Sequence, residues 1–287
     1  MAFFSYLCAM QALYAQYKQQ LSPYYSPHEA SLIFRACVAQ VLQVDEQKTY
    51  FLSDLTATPQ QYATLVDMLQ QLAAHTPLQY VLGYETFLDL RFAVTPDVLI
   101  PRPETAFLVR QIIDQNKHRK NLRILDVGTG SGCIAISLAH YLPQAEVTAV
   151  DVSEKALQVA QKNAHSIGVN VQFKQLNFLT ESSQLLPDFD ILVSNPPYVM
   201  ESEKSDIEEH VLQHEPHLAL FVPNETPLLF YQAIAQYAAH NIPLVYLEIN
   251  QALGSETQQL FTQVGYQANV ELDTFNLPRY VKAHFSI

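Results

Sequence analysis

Basic residues are scarce in this chain of 287 residues. Lys and Arg number 16 against 28 Asp and Glu, a formal net charge of −12, and the isoelectric point lies near 5.2. A surface of that sign repels polyphosphate, so a nucleic-acid ligand would require a local basic stripe, and none is visible. Cysteine is equally sparse. Cys8, Cys37 and Cys133 are odd in number, widely spaced and free of any CxxC pair, a pattern that suits free, mostly buried thiols in a reducing compartment. No apolar run reaches membrane-spanning length. The apolar start, Met1 to Met10, is short, lacks a basic lead and runs into Gln11, Gln16 and Lys18. It is expected to open a helix, not to serve as a signal peptide, and the protein is expected to be soluble and cytoplasmic. Internal repeats and low-complexity segments are missing too. What is present is a core: hydrophobic residues make up 49% and charged residues 15%.

Glycine is absent before Gly83, and the pattern there is helical. Apolar residues recur at three and four spacing in Tyr6-Met10-Leu13-Tyr14-Tyr17, in Ala30-Ile33-Phe34-Cys37-Val38-Val41-Leu42 and in Tyr62-Leu65-Leu69-Leu72. Pro23 and Pro27 separate the first stretch from the second, and Ser53-Asp54 and Thr58-Pro59 mark further helix starts. Residues 1–75 are therefore expected to form a small helical bundle. Residues 76–100 read as a connector in which Leu88-Asp89 joins a short hairpin. Residues 101–287 form the rest, opening with a helix from Pro101-Arg102-Pro103-Glu104 to about Asn116. Strands are expected at 123–127, 146–151, 171–176, 189–194 and 244–249 with helices between them, then at 268–272 and 280–284 without one. Repeated βα units imply an α/β fold with a parallel sheet wrapped on both faces, and the terminal hairpin adds an antiparallel strand.

Asp126-Val127-Gly128-Thr129-Gly130-Ser131-Gly132 follows a strand and opens a helix. Glycines let such a loop turn tightly and approach a ligand closely. The third glycine comes one residue too early for a dinucleotide fingerprint. An acid two residues before the first glycine would repel a pyrophosphate, whereas a methionine ammonium or sulfonium would be attracted. The next strand ends in Asp151, placed to accept from both ribose hydroxyls. The third ends at Asn177-Phe178, a position suited to accept the adenine amino group through Asn177 with Phe178 against the ring; Asn177 equally suits a turn or cap.

The fourth strand delivers Asn195-Pro196-Pro197-Tyr198 to the same crevice. Two prolines remove two backbone donors and fix φ, which aims carbonyls outward. A planar amino group, as in an amide or adenine, is a poor nucleophile because its lone pair is delocalised. The Asn195 side-chain oxygen and the Pro196 carbonyl can take both of its hydrogens, orienting the nitrogen and favouring the charge that builds on it. Tyr198 is expected to pack flat on the substrate plane. No metal is expected: His210, His214 and His217 have helix-like spacing, but Pro216 interrupts the helix. Cys133 has no base partner in view and reads as a packing residue.

These segments resemble the release factor glutamine methyltransferases, the PrmC/HemK family. The likeness runs through Pro77 to Gly83 with Phe87, through Leu99-Ile100-Pro101-Arg102-Pro103-Glu104-Thr105, and through Asn195 to Val199. It continues in Glu215-Pro216, Ala219-Leu220, Glu248-Ile249 and Arg279-Tyr280-Val281. The resemblance implies a Rossmann-like sheet dependent on S-adenosylmethionine, with an N-terminal helical bundle that docks a class I peptide-chain release factor. It implies that Gly128 to Gly132, Asp151 and Phe178 bind S-adenosylmethionine, leaving S-adenosylhomocysteine as product. Asn195 to Tyr198 would hold the glutamine of the Gly-Gly-Gln motif. Three departures are visible: Asn177 where an Asp is usual, Ala106 where an acid is usual, and Val222-Pro223-Asn224-Glu225 in place of a glycine-rich turn. The rival readings are a nucleic-acid N-methyltransferase and a non-catalytic module. Against the first stand Glu201, Glu203, Asp206, Glu208, Glu209 and Glu215, which face only Lys204 and make the expected mouth of the site acidic. Against the second stand the intact tetrapeptide and Asp151.

Overall fold

The computed structural model describes residues 2–185, 188–239 and 241–285, with side chains from Met10 onward apart from these gaps. The side chain of Cys8 thus lies outside the described residues, while Cys37 and Cys133 are buried, free thiols. The chain divides into two compact units, Met1–Gly83 and Tyr84–Ile287.

The first unit consists of α1 (Ala2–Gln20), α2 (Pro27–Leu42), α3 (Pro59–Ala73) and the short α4 (Leu78–Leu82). Ser26 and Thr58 each accept a backbone N–H from three residues on, and Glu29 and Gln61 return the bond. Pro27 and Pro59 occupy the first turns, where a missing N–H costs nothing. The periodic apolar positions then meet in one core that includes Leu13, Tyr17, Phe34, Val38, Leu65 and Leu69. The Tyr17 hydroxyl donates to the Leu65 carbonyl at 2.6 Å, which satisfies the polar atom of a buried ring. Ser53-Asp54 does not start a longer helix. The Ser53 hydroxyl donates to the Asp54 carboxylate at 3.0 Å and caps no backbone, so only one short turn, Leu52–Asp54, forms there.

Residues 76–100 divide at Gly83. Val81 of α4 joins the core of the first unit, and Gly83 ends that helix in the left-handed region at φ 79°. The hairpin of β1 (Tyr84–Phe87) and β2 (Leu90–Ala93) belongs to the second unit, with Phe87, Leu88 and Phe92 in its core. Leu88 and Asp89 turn it at φ 48° and 64°, both positive without a glycine, as a tight turn matched to strand twist demands.

The second unit continues with α5 (Pro103–Asn116), β3 (Arg123–Val127), α6 (Cys133–Tyr141), β4 (Glu146–Asp151), α7 (Glu154–Ile167) and β5 (Gln172–Gln175). Then come α8 (Phe178–Glu181), β6 (Ile191–Ser194), β7 (Val199–Met200), α9 (Glu209–His214) and β8 (Phe221–Val222). The chain closes with α10 (Leu229–Ala238), β9 (Leu244–Glu248), α11 (Gly254–Gln263), β10 (Gln267–Leu272) and β11 (Pro278–His284). Seven strands form one sheet in the order β10-β11-β9-β6-β3-β4-β5. Only β11 runs against its neighbours; the pairs from β9 to β5 are parallel. Leu108, Ile112, Ile134 and Leu138 cover one face of the sheet, Tyr231, Ile234 and Phe261 the other. That double burial explains why the central strands are continuously apolar rather than alternating. The chain runs outward from β3 to β5 and returns to β6 on the other side of β3, so the loops after β3 and β6 flank one crevice at the carboxyl edge.

Candidate active site

A single pocket in this crevice gathers the loop after β3 (Gly128, Thr129, Gly130, Ser131), Asp151 after β4, Asn177 and Phe178 after β5, and Asn195, Pro196 and Pro197 after β6. Gly128 and Gly130 sit at φ 74° and 53°, and a Cβ on either would meet nothing within 4 Å. The wall is open there, and bare backbone is free to approach a ligand. Gly132 has a different task. It does not line the pocket, and a Cβ on it would stand 2.6 Å from Ile136 Cδ1 and 3.1 Å from Ala160 Cβ. Its missing side chain lets α6 begin against α7, so the expected ligand contact is corrected to a packing role.

Asp126, expected to attract the positive end of the ligand, is fully buried and outside the pocket wall. Its Oδ2 accepts from the Thr129 hydroxyl at 2.6 Å and from the Ala135 N–H at 3.2 Å, which shapes the loop. The Thr129 hydroxyl proton is therefore committed to the loop, as is its N–H, which donates to the Val150 carbonyl at 3.1 Å. Burial pushes the Asp126 carboxyl up to about 7.

Asp151 keeps its expected place. Oδ2 accepts from the Gly130 N–H and Oδ1 from the Ser153 N–H, both at 2.9 Å, and each oxygen retains lone pairs for a further donor. Burial raises its pKa, and the backbone N–H groups of Ser153, Gly130 and Val152 draw it back. Asn177 caps α8: its Oδ1 accepts from the Leu179 N–H at 3.1 Å. The oxygen expected to take an adenine amino group is thus engaged locally, because a short helix start needs an acceptor there. Phe178 is buried edge-on against Tyr237, ring centroids 5.3 Å apart, and lines the pocket.

Below the tetrapeptide, the Ser194 hydroxyl donates to the Val127 carbonyl at 2.6 Å and ties the roots of the two loops together. Asn195 Nδ2 donates to Thr105 Oγ1 at 3.0 Å, and the Thr105 hydroxyl lies 2.6 Å from Glu248 Oε2, to which it donates. Tyr198 departs from expectation. Its ring is not part of the pocket wall; it packs on the core of the second unit and its hydroxyl donates to Glu248 Oε1 at 3.2 Å. The backbone carbonyl of Tyr198 accepts from Asn250 Nδ2 at 3.1 Å. Burial, with the nearby Glu248 charge, raises the phenol pKa far above its ordinary value. The residue thus anchors the loop from behind.

Three residues with no role read from the sequence, Thr105, Glu248 and Asn250, complete the surroundings together with Glu215. Glu215, expected on a solvated acidic mouth, is buried; it accepts from the Ile100 N–H at 3.1 Å and from the Arg102 guanidinium at 2.5 Å. This pins the Pro101-Arg102 wall of the pocket to the wall at Pro216. Glu201, Asp206, Glu208 and Glu209 are exposed as expected. Glu248 is 1% exposed, and burial pushes its carboxyl up to about 7 against the pull of its two hydrogen bonds and of Arg279. One signal was available: an acid closing the apolar run Leu244-Val245-Tyr246-Leu247 has no place in a strand covered on both faces unless something pairs with it. Cys133 lines the pocket, but burial pushes its thiol up to about 12, which makes it a poor nucleophile. Among the described residues no group of three or more His, Cys, Asp or Glu is arranged to hold a metal ion, and His214 and His217 bond the backbone carbonyls of His210 and Leu212. No described helix is long and apolar enough to cross a membrane.

Known proteins share both units. Residues 103–219 match the methyltransferase small domain and residues 12–83 the PrmC N-terminal domain. A release factor glutamine methyltransferase of Flavobacterium psychrophilum is 42% identical over 277 residues, covering 94% of this chain and 97% of the relative. One of Bacteroides thetaiotaomicron is 39% identical over 279 residues, covering 96% of this chain and all (100%) of that one. Among solved structures, the hMettl16 catalytic domain in complex with MAT2A 3'UTR hairpin 6 gives a TM-score of 0.52 at 12% identity, over 80% of this chain and 83% of that one. A methyltransferase from Pyrococcus furiosus gives 0.50 at 16% identity, over 80% and 100%. Those two share the fold alone. Likeness across almost the whole length and in both units makes this chain a member of the release factor glutamine methyltransferase family.

Proposed function

We propose that this protein transfers a methyl group from S-adenosylmethionine to the side-chain amide nitrogen of the glutamine in the Gly-Gly-Gln motif of class I peptide-chain release factors. The observation that carries the reading is the convergence of Asn195, Pro196 and Pro197 with the glycine loop and Asp151 in one pocket of a chain from this family. Gly128 to Ser131 offer a bare backbone surface, Asp151 offers carboxylate lone pairs to the ribose hydroxyls, and Phe178 offers an apolar edge to the adenine. Bound S-adenosylmethionine would supply an electrophilic methyl group on its sulfonium.

This chain's own residues deal with the weak nucleophile. Asn195 Oδ1 and the Pro196 carbonyl accept the two hydrogens of the substrate amide and turn its nitrogen toward the pocket. As positive charge builds on that nitrogen, both acceptors bind more strongly, which lowers the barrier rather than merely holding the ground state. The rigid diproline keeps the acceptors from relaxing away. A glutamine in an exposed loop offers few contacts, so we assign docking of the release factor to the N-terminal unit. Exposed acids at Glu201, Asp206, Glu208 and Glu209 beside the tetrapeptide disfavour a nucleic-acid substrate.

Mass spectrometry of a purified release factor after incubation with enzyme and S-adenosylmethionine tests the reading. One added methyl on the Gly-Gly-Gln glutamine is expected. Methyl transfer to nucleic acid at a comparable rate, with none to the release factor, would overturn it.

A further inference from the structure

We propose that Thr105 and Glu248 are positioning residues that set the orientation of the Asn195 amide, so that its oxygen and not its nitrogen meets the substrate. The proposal rests on the reading above that Asn195 holds the acceptor amide, and it explains how a side chain with two nearly isosteric branches presents the right one. A flipped amide would aim an NH2 group at the NH2 group of the substrate, donor against donor.

Proton counting decides the orientation. The Thr105 hydroxyl has one proton and lone pairs to accept with. An ionised Glu248 only accepts, and its Oε2 lies 2.6 Å from Thr105 Oγ1, the length of a charge-assisted bond. The Thr105 proton is committed to that carboxylate, and giving it to Asn195 instead would leave two acceptors facing each other in a site 1% exposed. Oγ1 can then only accept, and the branch of Asn195 lying 3.0 Å away must be Nδ2. Oδ1 remains, without a hydrogen bond among the described residues, on a side chain that lines the pocket.

The other carboxylate oxygen obeys the same polarity, since the Tyr198 hydroxyl donates to Oε1. The fold places the three residues together by strand order. Ser194 pairs with Leu247 across β6 and β9, so Asn195 and Glu248 leave adjacent strand ends side by side, and the first turn of α5 brings Thr105 over them. The ionisable groups around Glu248 are Tyr198, Arg279 and Tyr280 of β11, Glu104 of α5, Tyr231 of α10 and Cys133 of α6. A protonated Glu248 would donate to Thr105 Oγ1 and release the Thr105 proton toward Asn195 Oδ1, scrambling the order. Burial places that protonation near pH 7, inside the range where turnover can be measured.

The test compares Thr105→Val, Thr105→Ser and Glu248→Gln in the full-length enzyme. Thr105→Val is expected to lower kcat roughly 10- to 100-fold, the usual cost of a small misplacement, with KM for release factor and affinity for S-adenosylmethionine little changed. Thr105→Ser keeps the hydroxyl and should retain most of the rate. The wild type is expected to show an acid limb in kcat near pH 7, and Glu248→Gln should lose both rate and that limb. A second readout needs no turnover: the Asn195 side-chain NH2 protons, followed by NMR with selectively labelled asparagine, should exchange slowly in the wild type and in Thr105→Ser, and fast in Thr105→Val and in Glu248→Gln. A wild type that transfers no methyl to glutamine while showing this exchange pattern would sink the functional reading and leave the relay standing. Wild-type kcat in Thr105→Val, or unchanged exchange in it, would overturn the relay. Should Thr105→Val not fold, the acid limb and the exchange rate of Glu248→Gln decide in the same way: an intact limb with slow exchange refutes the relay.

Discussion

Asp151 and Asn195 line one pocket but are proposed to serve different partners, and substitutions should separate them. Asp151→Ala is expected to weaken S-adenosylmethionine binding by roughly 2–4 kcal/mol, the range for losing two charge-assisted hydrogen bonds. Asn195→Ala is expected to leave that affinity nearly intact and to cut turnover on the order of 10²–10³-fold, as for removal of one transition-state acceptor. Calorimetry and single-turnover kinetics on the two variants check the split; an Asn195→Ala enzyme with normal turnover would contradict the acceptor role. Both residues were legible in the sequence because each closes a predicted strand and points chemistry at its carboxyl end. Thr105 and Glu248 were not assigned, because what matters is their hydrogen bond, and that pairing spans 143 positions and depends on which strand lies beside β6. Tyr198 was located correctly, but its ring was assigned to the substrate; only the position of Glu248 shows that the hydroxyl holds the loop.

At the scale of elements, helix starts other than Ser53-Asp54 and strand positions were readable from caps, prolines and apolar spacing, and every predicted strand of the sheet has its ends within two residues of the observed ones. What the spacing did not distinguish is which glycine of the β3–α6 loop lines the pocket and which meets a neighbouring helix. Gly132 answers that by geometry, since its φ of 83° strains any side chain and a Cβ would press on Ile136 at 2.6 Å and on Ala160 at 3.1 Å. Gly132→Ala is expected to destabilise the protein by about 1–3 kcal/mol through strain and overpacking. Denaturant midpoints measure it, and a variant as stable as the wild type would show that α6 shifts freely against α7.

Over the whole molecule, two buried carboxyls set a pH dependence. Glu248 and Asp126 are raised to about 7 from 4.5 and 3.8, so between those values the folded state holds protons that the unfolded chain has released. Their contribution to stability is complete below about pH 4 and is lost as pH rises through about 7. Glu248→Gln removes one of them, and its stability should fall less steeply between pH 4.5 and 7, by about 3 kcal/mol in all from a shift of this size. Urea titrations at a series of pH values read the slope; identical slopes in both proteins would rule out proton uptake at Glu248. The division at Gly83 bears on a second test, because α4 packs with the first unit and a deletion should remove residues 1–83 rather than stop before it. The remaining chain is expected to bind S-adenosylmethionine and to methylate a release factor with a strongly raised KM. Full-length kinetics from the truncated protein would take the docking role away from the N-terminal unit.

The bond between Thr105 and Glu248 also carries a consequence for the order in which the molecule assembles. It closes a loop of 143 residues, and the bond from Asn195 to Thr105 closes one of 90. Such closures lose chain entropy long before a single hydrogen bond can repay it, so they follow the pairing of β6 with β9 and cannot lead it. The polar triad is then expected to be absent from the rate-limiting barrier to folding. Thr105→Val should refold at the wild-type rate and unfold faster by the full factor of its lost stability. During refolding, far-ultraviolet circular dichroism should recover before methyl transfer does. Competence is then expected to be the last property the chain acquires and, on dilution into denaturant, the first that it gives up.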